Sequence, residues 1–263
     1  TMLHYERLAP LEPDEERIRR EFREGEPTYG HLFDLFHRHR AERLGRHRWG
    51  DKSLHTEHYA DLVFAEFPQA RMIHVMRDPR DRHASVMRRY PDVTRHVGPV
   101  TGRWVASERS LRRNLRRHPG RYLAVRYEDL VRHPVDVLGE VCRFVEEPYT
   151  DEMLAMKGDP DHQEGNSSFE SFAPGVISTR AIGRYAGTLE RRDIAFIETV
   201  ARRPMARLEY LPPPGERTRP RARDIPYLVE NLARMRVWMA LDEERPRRGG
   251  GVPAERLGPE KVR

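Results

Sequence analysis

The sequence holds a single cysteine, Cys142, in 263 residues. That excludes an intramolecular disulfide and any metal site built from cysteine alone. Lysine is almost as scarce: Lys52, Lys157 and Lys261 are the three lysines among 48 basic residues. Arginine has taken over the basic positions, as a coding bias toward arginine would produce. A lysine inside a candidate site is therefore more informative than usual, because an ammonium and a guanidinium do different chemistry. There is no run of about 18 apolar residues and no signal-peptide pattern, so no membrane partner is expected and a cytoplasmic location is. No internal repeat is present, and no metal-ligand spacing stands out.

What is there is polar but not too polar to fold. Apolar residues make up 37% of the chain and charged residues 34%, which leaves room for one large α/β domain with appendages. The formal net charge of +6 suits an anionic partner: nucleotide, nucleic acid, polysaccharide or membrane surface. Arginine-rich stretches at 109–117 and 217–223 could meet phosphates. Arginines on an amphipathic helix usually form its solvated face, however, and no nucleic-acid motif accompanies them. No nucleic-acid partner is expected.

Periodicity predicts helices over 12–24, 27–45 and 56–67, a short buried strand over 70–76, and helices restarting at 81–89 and 99–117. A second strand is predicted at 121–127, then helices at 134–145, 150–157 and 190–202. Residues 158–176 read as a long loop, and the Pro-rich segment 212–224 as a linker. A lone amphipathic helix is expected at 225–240, and a disordered tail at 241–263, where Gly249, Gly250 and Gly251 sit among many charges. Strands separated by helices favour a parallel sheet flanked by helices, with ligands beyond the carboxyl ends of the strands.

Two segments carry chemistry. In MIHVMRDPRDRHAS a buried strand runs into Arg77, and a turn leads to a helix expected to start near Arg82, with Ser85 in its first turn. A guanidinium at a strand end, a hydroxyl at a helix start and the free N–H groups of that start can converge on one phosphate. The same residues also fit a surface turn with ordinary capping and an Arg77–Asp81 ion pair. In VRYEDLVRHPVDVLGEVCRFV, Tyr127 closes a strand and Glu128 and Asp129 open a helix. Tyr127 could stack on a base or be a core tyrosine.

Taken in order, W-G-D-K-S, F-P-x-A-R-x-I-H-x-x-R-D-P-R-D-x-x-x-S, a mid-chain tryptophan and R-Y-E-D-L-x-x-x-P resemble the sulfotransferases, most closely their broad bacterial branch, over about residues 48–210. The resemblance implies a P-loop-like three-layer α/β fold. It implies transfer of a sulfuryl group from 3′-phosphoadenylyl sulfate to a hydroxyl or amine, leaving adenosine 3′,5′-bisphosphate. It further implies that Arg77 and Ser85 hold the 3′-phosphate and that Tyr127 lies beside the adenine. I-S-T-R-A-I-G-R-Y resembles the family's late cofactor loop, which makes Ser178, Arg180 and Arg184 cofactor candidates. Trp104 is expected to serve packing. Lys52 stands at the family's early lysine position, where an ammonium can stabilise charge on the leaving phosphate. The acceptor needs a base; His55 is the first choice, with Glu57 and His58 beside it.

The family's other hallmark, a strand followed by a loop like R-S-G-T-[ST] that cradles the 5′-phosphosulfate, has no counterpart in residues 1–47. The expected sheet therefore lacks its first strand. Residues 1–211 are expected to be a sulfotransferase-like domain that is incomplete at its N-terminus. Truncation is favoured over loss of catalysis because Lys52, Arg77, Ser85 and Tyr127 all remain. The main alternative is a noncatalytic module of the same fold that holds a nucleotide or a sulfated ligand. A P-loop kinase fits less well, lacking G-x-x-x-x-G-K-[ST]. The acceptor is open: a small molecule, a carbohydrate or a peptide.

Overall fold

The computed structural model describes residues 11–89, 96–155 and 177–249. Residues 1–69 with 245–263 form one unit and residues 70–244 a second.

In the first unit, helix α1 (Glu15–Glu24) begins where the Asp14 carboxylate accepts the Arg17 N–H at 3.0 Å. Helix α2 (Tyr29–Arg43) begins where the Thr28 hydroxyl accepts the His31 N–H at 3.0 Å. Ile18 and Phe22, one turn apart, pack on Leu32, Leu35 and Phe36 to make a small core. Its edge is polar: Glu21 accepts from Arg17 at 2.6 Å and from Arg38 at 3.0 Å, and Nε2 of buried His39 lies 3.0 Å from the same carboxylate. A 3-10 turn (Thr56–Tyr59) leads into α3 (Ala60–Glu66).

In the second unit, strands β1 (Met72–Met76) and β2 (Tyr122–Arg126) pair in parallel, Met72 opposite Tyr122 and Met76 opposite Arg126. A parallel pair needs a long crossover. It is supplied by α4 (Pro79–Arg89) and α5 (Val97–Arg117). After β2 come α6 (Tyr127–Arg132) and α7 (Pro134–Val145), then a 3-10 turn at Asp151–Ala155. A second 3-10 turn (Thr179–Ala181) and the single turn α8 (Tyr185–Thr188) lead to α9 (Arg191–Val200) and α10 (Arg202–Arg207). The core of this unit gathers Met76, Trp104, Leu111, Val125, Phe196, Ile197 and Met205. The result is a helix-rich α/β fold whose parallel sheet is short, two strands among the described residues.

Helix α11 (Ile225–Gly249) runs nine residues past the end expected from the sequence, and it packs against α5. Gly98 of α5 donates its N–H to the Asn231 side chain at 3.1 Å, and a Cβ at Gly98 would fall 2.1 Å from the Asn231 carbonyl oxygen. Asn231 and Met235 are buried. The loop expected over 158–176 lies outside the described residues.

Candidate functional site

The site is built at the carboxyl ends of the two strands. Register places Met76 opposite Arg126, so the next residues, Arg77 and Tyr127, emerge side by side. The Arg77 guanidinium carbon sits 4.5 Å from the centre of the Tyr127 ring, a cation–π distance. Arg77 Nη2 donates to the Ala181 carbonyl at 2.6 Å. The Arg77 carbonyl accepts the Trp104 indole N–H at 2.8 Å, so Trp104 does more than fill space. Arg77 Nε is buried and has no hydrogen-bond partner among the described residues. A buried unsatisfied donor is costly and asks for an acceptor.

The start of α4 corrects one expectation. The helix begins at Pro79, not near Arg82, so Ser85 is its seventh residue and lies in the second turn rather than the first. Asp78 accepts the Arg80 N–H with its side chain at 2.8 Å and the Arg82 N–H with its backbone at 2.9 Å. Asp-Pro here is a capping residue followed by proline at the first helical position. Ser85 is half-buried, and the N–H groups of this helix start, two of them already taken by Asp78, belong to residues earlier than it.

Beneath the strand ends lies a buried polar network. Glu128 accepts the Asp78 N–H at 2.9 Å and the Tyr210 hydroxyl at 2.8 Å. Burial, and then the Glu128 charge, push the Tyr210 phenol well above its ordinary pKa. Arg80 bridges Asp78 at 2.7 Å and Glu198 at 2.6 Å, and donates to the Tyr210 carbonyl at 2.9 Å. Sequence reasoning missed Arg80, Glu198 and Tyr210, because no periodicity marks partners separated by 118 or 130 positions.

The structure joins part of the expected late loop to Arg77. Ser178 caps the 3-10 turn, accepting the Arg180 N–H at 3.2 Å. Arg180 is exposed, and its carbonyl accepts from Arg184 Nε at 2.5 Å. Asp81, which could have paired with Arg77, instead accepts the N–H groups of Gly183 and Tyr185.

Lys52 and His55 belong to the first unit. Their loop is anchored upstream by Trp49, whose indole donates to Asp34 at 2.9 Å and stacks on His37 with ring centres 4.8 Å apart. Lys52 is exposed. His55 is exposed and left-handed at φ 70°, a conformation that side-chain-bearing residues rarely adopt. Its ring stacks against His58 at 6.1 Å. One ligand atom each from His55, Glu57 and His58 can be chosen within 4.8 Å of one another, so these three are the described side chains best grouped to chelate a divalent cation.

A family model described as the sulfotransferase family matches residues 7–151. That is more than half of the chain, which therefore belongs to the sulfotransferase family. The match takes in Lys52, His55, Arg77, Ser85 and Tyr127 and stops short of Ser178, Arg180 and Arg184. No curated protein matches the chain. Membership supports sulfuryl transfer as the general chemistry, and the short parallel sheet among helices agrees with the family's fold. Among the described residues no helix is long and apolar enough to cross a membrane.

Proposed function

We propose that the protein transfers a sulfuryl group from 3′-phosphoadenylyl sulfate to a hydroxyl or amine of a small-molecule, carbohydrate or peptide acceptor. The observation that carries this reading is Arg77. Its guanidinium is held at the end of β1 by Tyr127 and the Ala181 carbonyl, while its buried Nε lacks a partner among the described residues. A fixed cation with a spare donor is what a phosphate oxygen fits.

In this reading Arg77 Nε and the Ser85 hydroxyl hold the 3′-phosphate, and Tyr127 orients the guanidinium. Ser178, Arg180 and Arg184 supply further polar contacts from their loop. When bound, the cofactor supplies the activated sulfuryl group. Lys52 Nζ contributes positive charge for the leaving phosphate. An imidazole nitrogen of His55 takes the proton from the acceptor.

Calorimetry with adenosine 3′,5′-bisphosphate and 5′-AMP tests the anchor, since the two differ only in the 3′-phosphate. Losing a charge-assisted contact should weaken bisphosphate binding about ten- to a hundredfold in Arg77→Ala, with AMP binding unchanged. Equal affinity of the folded protein for both ligands would sink the reading. A bisphosphate preference with no sulfuryl release from 3′-phosphoadenylyl sulfate would favour the noncatalytic module.

A further inference from the structure

Asp81 is 1% exposed, and its two carboxylate oxygens are both committed to a segment more than a hundred residues away. Oδ2 accepts the Gly183 N–H at 2.7 Å and Oδ1 accepts the Tyr185 N–H at 2.9 Å. The backbone turns left-handed at Gly183, φ 75°, and returns to helical values at Arg184, φ −62°. A left-handed residue beside a right-handed one turns neighbouring N–H groups toward one side, making a concavity that suits an anion. Here the anion is a side chain of the protein itself. One helical turn of α4 therefore grips this strap: Asp81 holds its amides, and the Arg80 guanidinium covers the Tyr185 ring at 4.3 Å.

The grip has a consequence for Arg77. The strap presents the Ala181 carbonyl, which accepts from Arg77 Nη2 at 2.6 Å. With Tyr127 on the face of the guanidinium, that carbonyl sets the remaining rotation of the planar group and hence the direction of Nε. We infer that Asp81 is a positioning residue: by docking residues 181–185 onto the start of α4 it fixes the Arg77 guanidinium in its anion-binding orientation. The link to cofactor binding rests on the function proposed above; the link from Asp81 to Arg77 does not.

The chemistry of the contact makes Asp81→Asn a sharp probe. An amide side chain has one accepting oxygen, so it can satisfy one of the two N–H groups and turns its own donors toward the other. Three readouts are taken on the full chain. Amide exchange at Gly183 and Tyr185 reports strap docking. The side-chain Nε–H resonance of Arg77, followed for exchange and line width, reports the guanidinium. Calorimetry with adenosine 3′,5′-bisphosphate against 5′-AMP reports the anion site. In Asp81→Asn the two amides and the Arg77 Nε–H should all exchange about tenfold faster or more. The bisphosphate preference should fall toward that of Arg77→Ala, and Asp81→Asn should add nothing further in the Arg77→Ala background. Gly183→Ala approaches the same strap from the other side. Its added Cβ meets open space but is strained at that φ, so it should shift all three readouts the same way even if Asp81→Asn folds poorly.

Freed strap amides with an unchanged Arg77 Nε–H would reduce Asp81 to a purely structural role and overturn the inference. Unchanged strap amides would overturn it as well. An Arg77 Nε–H that responds in a protein showing no preference for the bisphosphate would instead leave the positioning role standing and remove the cofactor reading.

Discussion

Arg77 and Tyr127 stand next to each other because each follows one of the last paired residues of adjacent parallel strands, and the guanidinium lies 4.5 Å from the ring centre. The contact depends on the aromatic face, not on the hydroxyl. Tyr127→Phe should keep bisphosphate affinity within about twofold. Tyr127→Ala should lose about three- to fivefold, the worth of an ordinary cation–π contact. Calorimetry on both variants checks this. A large loss in Tyr127→Phe would show that the hydroxyl itself meets the ligand.

Arg80 holds the same strand end from beneath. It spans Asp78 and Glu198 in a buried setting. Removing the guanidinium leaves two buried carboxylates without their cation, so Arg80→Ala should cost about 3–5 kcal/mol in urea unfolding. Arg80→Lys should recover little, because an ammonium cannot reach both acids and the Tyr210 carbonyl as a planar fork does. A loss below about 1 kcal/mol would mean that solvent or a rearranged neighbour satisfies the acids.

Acid should weaken the second unit through His83. This side chain is 2% exposed, and burial, then the Arg82 charge, push its pKa down to about 4 from 6.5. The unfolded imidazole takes up a proton near pH 6.5, and the folded one not until about pH 4. Stability from this source is whole above pH 6.5 and is lost as pH falls toward 4, by on the order of 3 kcal/mol. Burial also pushes the Asp81 carboxyl above 3.8, which acts with the opposite sign: stability falls as pH rises past that value. The difference between wild type and His83→Gln therefore isolates the histidine. Urea unfolding between pH 4.5 and 7.5 should show the two proteins diverging in slope; parallel curves would refute the assignment.

Charge stabilisation and proton transfer separate from cofactor anchoring in the proposed reaction. Lys52→Ala should leave bisphosphate affinity within a fewfold while lowering sulfuryl transfer by about a hundredfold or more. His55→Gln should lower transfer by about a hundred- to ten-thousandfold with affinity kept. Release of adenosine 3′,5′-bisphosphate in the presence of acceptor is the measurement. Full activity in His55→Gln would pass the base role to half-buried Glu57.

Local patterns were enough for much of this molecule. The sequence by itself determined where β1 and β2 run, that α7 starts at Pro134 and ends at Val145, and that an arginine sits at a strand end facing a helix start. These follow from apolar periodicity and from proline and glycine punctuation, which act within a few residues. Family membership was likewise legible, because motif order and spacing are properties of the chain. Only the tertiary structure decided the rest. α4 opens at Pro79 rather than near Arg82 because the Asp78 carboxylate caps it, and that displaces Ser85 by a turn. The helix expected at 225–240 docks on α5 because Gly98 and Gly102 let it approach. Asp81, Glu128 and Arg80 look like ordinary helix-start charges in one dimension. Their partners, Gly183, Tyr210 and Glu198, lie 82 to 118 residues away. A buried charge is placed by whatever can satisfy it, and those groups come within hydrogen-bonding reach only when the chain folds back on itself.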